Sequence, residues 1–257
     1  MAILKISDSL LPELSIDDII DETDLNKYYF TQITILYLIQ ILYFSSYQFL
    51  NIIIPTLEIE FNLSNFEISL IGGLDYFGIF LGSLMIHFFA DKFGRRKSYI
   101  GSLLTFILLQ CLTTLSTNIY IFCFFRSLQS ISATFVMLLA FILVAESLPT
   151  KFRGFFSKFF SVLAIIGHLF CIFITMLIYD DLLSINWRKL TFFFAALTLI
   201  LLVIAFLYID ESPRFDIFNG DKNRGFATLN KMRGIKGYLT DDEKINLNVG
   251  LRNSTRI

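Results

Sequence analysis

Charge is scarce in this chain. Asp, Glu, Lys and Arg make up 17% of its 257 residues, against about 25% in water-soluble domains. Over half of the residues, 55%, are hydrophobic, 30 of them phenylalanine, and the mean hydropathy is +0.67. A soluble fold of this length cannot hide so much apolar surface, which excludes an ordinary water-soluble enzyme. Four prolines and 13 glycines are too few for a collagen-like or low-complexity chain. Lys plus Arg, 21, nearly cancels Asp plus Glu, 22, so no nucleic-acid partner is expected. The three cysteines, Cys111, Cys123 and Cys171, each lie in an apolar run. An odd, buried set makes neither a disulfide framework nor a zinc site, and they read as free core thiols.

What is present is a series of apolar runs. A spanning helix needs roughly 20 mostly apolar residues, and six runs qualify: Ile33–Ile54, Glu67–Ala90, Ser98–Ser116, Tyr120–Ala145, Phe155–Tyr179 and Leu190–Ile209. The expected fold is all-α, a polytopic membrane protein built as a six-helix bundle, with the lipid bilayer as its main surrounding. Residues 1–32 form a polar segment with Asp8, Glu13, Asp17, Asp18, Asp21, Glu22 and Asp24. It lacks the basic start and apolar core of a secretory signal, so no cleaved peptide is expected. Residues 210–257 form a polar tail. Within it Phe226, Leu229 and Met232 recur at helical spacing, which predicts an intracellular helix docked beneath the bundle, or else a basic surface for anionic lipid.

Lys and Arg counts set the direction of a membrane protein. The segments before span one, after spans two and four, and after span six hold eighteen of the 21, among them Lys92, Arg95, Arg96, Lys97, Lys151, Arg153 and Lys158. The opposite side holds only Arg188 and Lys189. Both termini are therefore expected in the cytoplasm.

Polar side chains inside lipid are costly and turn inward or towards water. In span one, Tyr37, Gln40, Tyr47, Gln48 and Asn51 fall within an arc of about 100°. That stripe is either helix–helix glue or the wall of a ligand cavity. Asp75 in span two and Arg126 in span four lie roughly 10 Å in from the outer side, at 1.5 Å per residue. A lone ion at such depth is expensive, so pairing across a cavity, directly or through a solute, is expected; a purely structural ion pair is the alternative. Gly78 and Gly82 form a small-xxx-small pair that permits close helix approach. His168 in span five sits either as a proton relay or as a hydrogen-bonded structural residue.

After span two the chain reads Ala90-Asp91-Lys92-Phe93-Gly94-Arg95-Arg96-Lys97. This resembles the signature G-x-x-x-D-R/K-x-G-R-R/K of the major facilitator superfamily, with His87 in place of its first glycine. Arg126-Ser127-Leu128-Gln129 resembles the R-x-x-Q of the fourth helix, with Ser130 for the usual glycine. Glu146-Ser147-Leu148-Pro149 followed by Arg153-Gly154 resembles E-x-x-P-x-x-x-R-G. Trp187-Arg188 precedes span six as in many members, and Glu211-Ser212-Pro213-Arg214-Phe215 resembles E-S-P-R-W/F. The set is similar to the sugar-porter, organic-ion and synaptic-vesicle-glycoprotein-like branches. Ser15 to Ile20 is also similar to the last, although its G-F-G-x-F-Q is replaced by Leu25 to Phe30.

That resemblance implies transport of a small organic solute, a sugar or an organic ion, by alternating access between two six-helix halves. Candidate cavity residues are then Gln40, Tyr47, Gln48, Asn51, Asp75, Arg126, Gln129 and His168. Asp91, Gly94, Arg95, Arg96, Glu146, Arg153, Glu211 and Arg214 would form a cytoplasmic gate. By analogy Arg95 or Arg96 pairs with Glu146, and Arg153 with Glu211. The resemblance covers one half only, about residues 15–235. A fragment, a half that joins a second chain or a copy of itself, and a non-transporting structural or regulatory subunit are all compatible with it. No H-E-x-x-H, G-x-S-x-G or Walker-type run is present, so neither an enzyme nor a cofactor is expected. The P-x-D/E-x-x-K/R repeat of six-span mitochondrial carriers is also missing.

Overall fold

The computed structural model describes residues 16–179, 186–219 and 221–234. The acidic residues at positions 8 and 13, the start of the Ser15 segment, and the basic positions beyond 234 lie outside the described residues. Among those described, the chain forms nine helices and no strand: α1 (Ile16–Asp21), α2 (Lys27–Phe61), α3 (Asn65–Phe93), α4 (Arg95–Thr114), α5 (Ile119–Ser147), α6 (Thr150–Ile178), α7 (Trp187–Tyr208), α8 (Pro213–Phe218) and α9 (Lys222–Arg233). Five of them, α2, α3, α5, α6 and α7, are long and apolar enough to cross a membrane. The sixth long helix, α4, has 20 residues and opens on Arg95, Arg96 and Lys97, which dilutes its apolar character. With 35 residues, α2 is about 50 Å long and outreaches a hydrocarbon core of about 30 Å. Its ends extend beyond the Ile33–Ile54 run.

Local sequence explains the tight connections. The Asn26 side chain accepts from Tyr28 N at 2.9 Å and Tyr29 N at 3.3 Å, satisfying orphan amides at the head of α2. Asn62 closes α2 in the left-handed region, φ 52°, a conformation asparagine tolerates. Two residues later Ser64 starts α3 with a capping box: Ser64 N donates to Glu67 Oε2 at 2.9 Å, and Glu67 N to Ser64 Oγ at 3.4 Å. Gly94 alone joins α3 to α4, at φ 94°.

Within the bundle α5 packs on both α3 and α4, while α2 packs on α6, α7 and α5, and α4 on α7. In α2, 61% of the most apolar stretch is buried, but only 22% in α3 and in α6. Those two helices therefore present broad outward faces, including Phe77, Phe80, Leu84 and Phe88 on α3 and Ile165, Leu169, Phe173 and Met176 on α6. Apolar surface on this scale is incompatible with water.

Two apolar cores are stacked along the bundle. One, towards the ends of the chain, contains Leu36, Ile86, Phe106, Leu139 and Leu143. The other contains Phe49, Ile71, Phe122, Cys171, Trp187 and Phe194. The second is closed by a clasp in which Trp187 Nε1 donates to Glu60 Oε2 at 2.6 Å and Arg188 Nη1 meets Glu60 Oε1 at 2.6 Å. At the opposite end, α1 buries Ile16, Ile19 and Ile20 and packs on α9. Leu229 and Met232 of α9 are buried there too, with Asn26 Nδ2 donating to Met232 O at 2.7 Å.

Candidate functional site

Between the two cores each central helix changes chemistry. On α2, Ser46 lies between Tyr43 of one core and Phe49 of the other. On α3, Asp75 lies between Ile86 and Ile71. On α5, Arg126, Gln129 and Ser130 lie between Ala133 and Cys123. These residues bound a cavity of about 280 Å³, its open mouth included, with Tyr43, Ser46 and Tyr47 from α2, Asp75 and Ile79 from α3, Phe106 from α4, and Arg126, Gln129, Ser130 and Ala133 from α5.

The structure brings Asp75 and Arg126 together. Arg126 Nε lies 3.1 Å from Asp75 Oδ1, and their side chains are 11% and 4% exposed. The hydroxyl of Ser130 donates to the same Oδ1. Arg126 Nη1 donates to Gln129 Oε1 at 3.3 Å, and Nη2 to the Ser46 carbonyl at 3.5 Å. Ser46 Oγ and Gln129 Nε2 are buried with no partner among the described residues. Close approach of α3 and α5 makes the pairing reachable. A Cβ on Gly78 would stand 2.4 Å from Ser127 O, and one on Gly82 2.9 Å from Thr134 Cβ.

The polar stripe of α2 divides. Tyr47 lines the cavity, its hydroxyl donating to that of Tyr76 at 2.9 Å. Gln40 does not reach it: fully buried, it donates to Val136 O of α5 at 3.2 Å. Tyr37 donates to Phe156 O of α6 at 2.6 Å. These two are interhelical glue. Gln48 and Asn51 bond each other at 3.4 Å nearer the C-terminal end of α2, away from the cavity wall. His168 also stands outside the wall; its ring packs by Phe44 and Tyr47 at 6.0 and 6.4 Å, and its Nε2 is buried without a partner among the described residues. Sequence reading missed Tyr43, Ser46 and Ser130. Helical spacing held the signal, since Tyr43, Ser46 and Tyr47 stand at i, i+3 and i+4, and Ser130 stands four beyond Arg126.

The second cluster sits at the other end of the bundle. Arg95 Nε lies 3.3 Å from Glu146 Oε1, and its Nη2 is 3.3 Å from Asp91 Oδ1. Its guanidinium also covers the Phe215 ring at 5.3 Å. Glu211 does not pair with Arg153. Instead its Oε1 accepts from Arg96 N at 2.9 Å, because the chain leaving α7 lands on the N-terminus of α4, where free amides and the helix dipole favour a carboxylate. Gly94 leaves room for it; a Cβ there would lie 2.7 Å from Glu211 Oε2. Arg153 turns to Asp17 of α1 at 3.8 Å, and Arg214 bonds the same carboxylate oxygen. Beside them Asp21 accepts from Thr150 N at 2.6 Å and from Thr150 Oγ at 2.7 Å. Those two bonds, the backbone one first, hold its carboxyl below the usual range.

A family model described as "Major Facilitator Superfamily" matches residues 36–241. The human protein SVOPL is 27% identical over 194 residues, 76% of this chain and 38% of that protein. The Caenorhabditis elegans protein svop-1 is 30% identical over 180 residues, 70% of this chain and 34% of that protein. Hence the chain spans well under half the length of these relatives. Among solved structures, the xylose transporter XylE from E. coli, in a partially occluded inward-open conformation, superposes with a TM-score of 0.76 at 18% identity, over 90% of this chain and 60% of that one. At that identity the likeness is one of fold.

Proposed function

Because the chain belongs to the Major Facilitator Superfamily and forms an integral bundle of apolar helices, we propose that it is one six-helix half of a transporter that moves a small organic solute by alternating access. The observation that carries this reading is the polar layer between two apolar cores. An ion pair and two unpartnered polar groups are kept around a cavity where aliphatic packing would cost less. Sugar and organic-ion classes are both within the branch that the sequence motifs resemble.

The cluster at α4 is the proposed cytoplasmic gate. Arg95–Glu146 ties the head of α4 to the end of α5, and Glu211 ties it to the chain after α7. Breaking such contacts frees helix ends to move against one another. Lys and Arg distribution supports a cytoplasmic position for this cluster and for both termini. The solute contacts left open here fall to a second half, from another chain, a further segment or a second copy.

Reconstitution tests the proposal. The purified chain in proteoliposomes, alone and with its second half supplied, should carry labelled small organic solutes across the bilayer, and Asp75→Asn should cut the initial rate at least tenfold. An assembled bundle that passes no solute in either form would favour the second reading, a non-transporting membrane subunit.

A further inference from the structure

The charges of the polar layer are already spent on one another. Arg126 has five N–H donors in a fixed fork, and three point at Asp75 Oδ1, Gln129 Oε1 and the Ser46 carbonyl. Asp75 Oδ1 takes both Arg126 and Ser130. The pair is nearly closed to solvent, and among the described residues no other Asp, Glu, Lys or Arg lines the cavity. An anion that used Arg126 would have to displace Asp75, and a cation that used Asp75 would have to displace Arg126. Either leaves a buried charge without its counterpart.

The unspent groups are neutral. A guanidinium offers only donors, so the Gln129 amide must turn its oxygen to Arg126 and its nitrogen away. That Nε2 and the Ser46 hydroxyl are buried just behind the wall their residues help to form, and have no partner among the described residues. Both residues are at least 97% buried, and buried polar groups are almost always bonded. When the wall parts to admit a solute, its hydroxyl can accept from the amide and exchange a bond with the serine, while the rings of Tyr43 and Phe106 offer apolar contact.

We infer that this cavity selects an uncharged, hydroxyl-bearing solute, held by Ser46 and Gln129, with Arg126 as a positioning residue that aims the Gln129 amide. This rests on the cavity being the solute site of the proposed transporter.

Three probes with one pyranose ring and different charge test it: D-glucose, D-glucuronate and D-glucosamine, added at pH 7 to the full chain in nanodiscs, with the midpoint of thermal unfolding as readout. Glucose should raise the midpoint at millimolar concentration, and each charged probe should need at least tenfold more. Ser46→Ala and Gln129→Glu should each weaken glucose about tenfold; two variants guard against one that misfolds. Arg126→Lys keeps a charge beside Asp75 but loses the fork. It should weaken glucose without altering the glucose-to-glucuronate ratio, whereas a direct contact would alter it. If glucuronate or glucosamine matches glucose and Ser46→Ala abolishes the effect, the inference falls and the cavity stands. No shift with any probe, in a chain that still carries solute in proteoliposomes, overturns the inference alone. Absence of both overturns the transport reading as well.

Discussion

Gly78 and Gly82 let two backbones meet, and that contact sets the position of Asp75. A methyl at Gly78 would sit 2.4 Å from a backbone oxygen of α5, whereas one at Gly72 would meet nothing within 4 Å. Gly78→Ala should therefore destabilise by about 1–3 kcal/mol through overpacking, while Gly72→Ala should be neutral or stabilise by up to about 1 kcal/mol through helix propensity. Thermal unfolding in detergent separates the two. For the ion pair, Asp75→Asn should cost about 3–5 kcal/mol by leaving Arg126 buried without its anion. The double change Asp75→Asn with Arg126→Gln should recover much of that loss, and a double-mutant cycle on the unfolding free energy measures the coupling. Depth and sign made both charges legible in the sequence, since ions in an apolar run attract notice. Ser46 and Ser130 were legible only as positions, three beyond Tyr43 and four beyond Arg126 on the same helix faces; a serine in a span is common, and only its neighbours reveal whether it is satisfied.

At the scale of elements, α1 is the least expected part of the assembly. Its six residues are too few to hold as a helix alone; Asp17, Asp21 and three buried isoleucines attach it to α6, α8 and α9. Thr150 lowers the Asp21 carboxyl in the folded state. Stability from this contact is thus fully present above the ordinary value near 3.8 and is lost as pH falls through the lower folded value. Hydrogen exchange over residues 16–21 should accelerate as pH is brought below about 4, after correction for intrinsic rates. Asp21→Asn should remove that acid step and weaken attachment at pH 7 by about 1 kcal/mol, the scale of a lost helix cap. Apolar runs announced the long helices because membrane insertion depends on composition. The partners of Arg153 and Glu211 depended on where α1 and the chain after α7 come to rest, which composition does not encode. Motif analogy paired those two residues with each other, and docking separated them.

For the whole molecule, the cation distribution gives a direction that labelling can check. With the native cysteines replaced, a membrane-impermeant maleimide should modify Phe66→Cys in sealed cells, and Lys92→Cys only after permeabilisation. Labelling of Lys92→Cys in sealed cells would reverse the orientation. The bundle's broad outward faces on α3 and α6 and its two stacked cores were foreseen only as apolar content, since hydropathy counts residues without saying which neighbour covers them. The Glu60 clasp has a consequence for experiment. Trp187 is the chain's one tryptophan, and its indole is buried, 2% exposed, and bonded to a carboxylate. Ultraviolet excitation of the native protein therefore reports on a single place, the seam between α2 and α7. Opening of that seam should shift the emission to longer wavelength and admit aqueous quenchers, so that movement at the rim is visible without any attached dye.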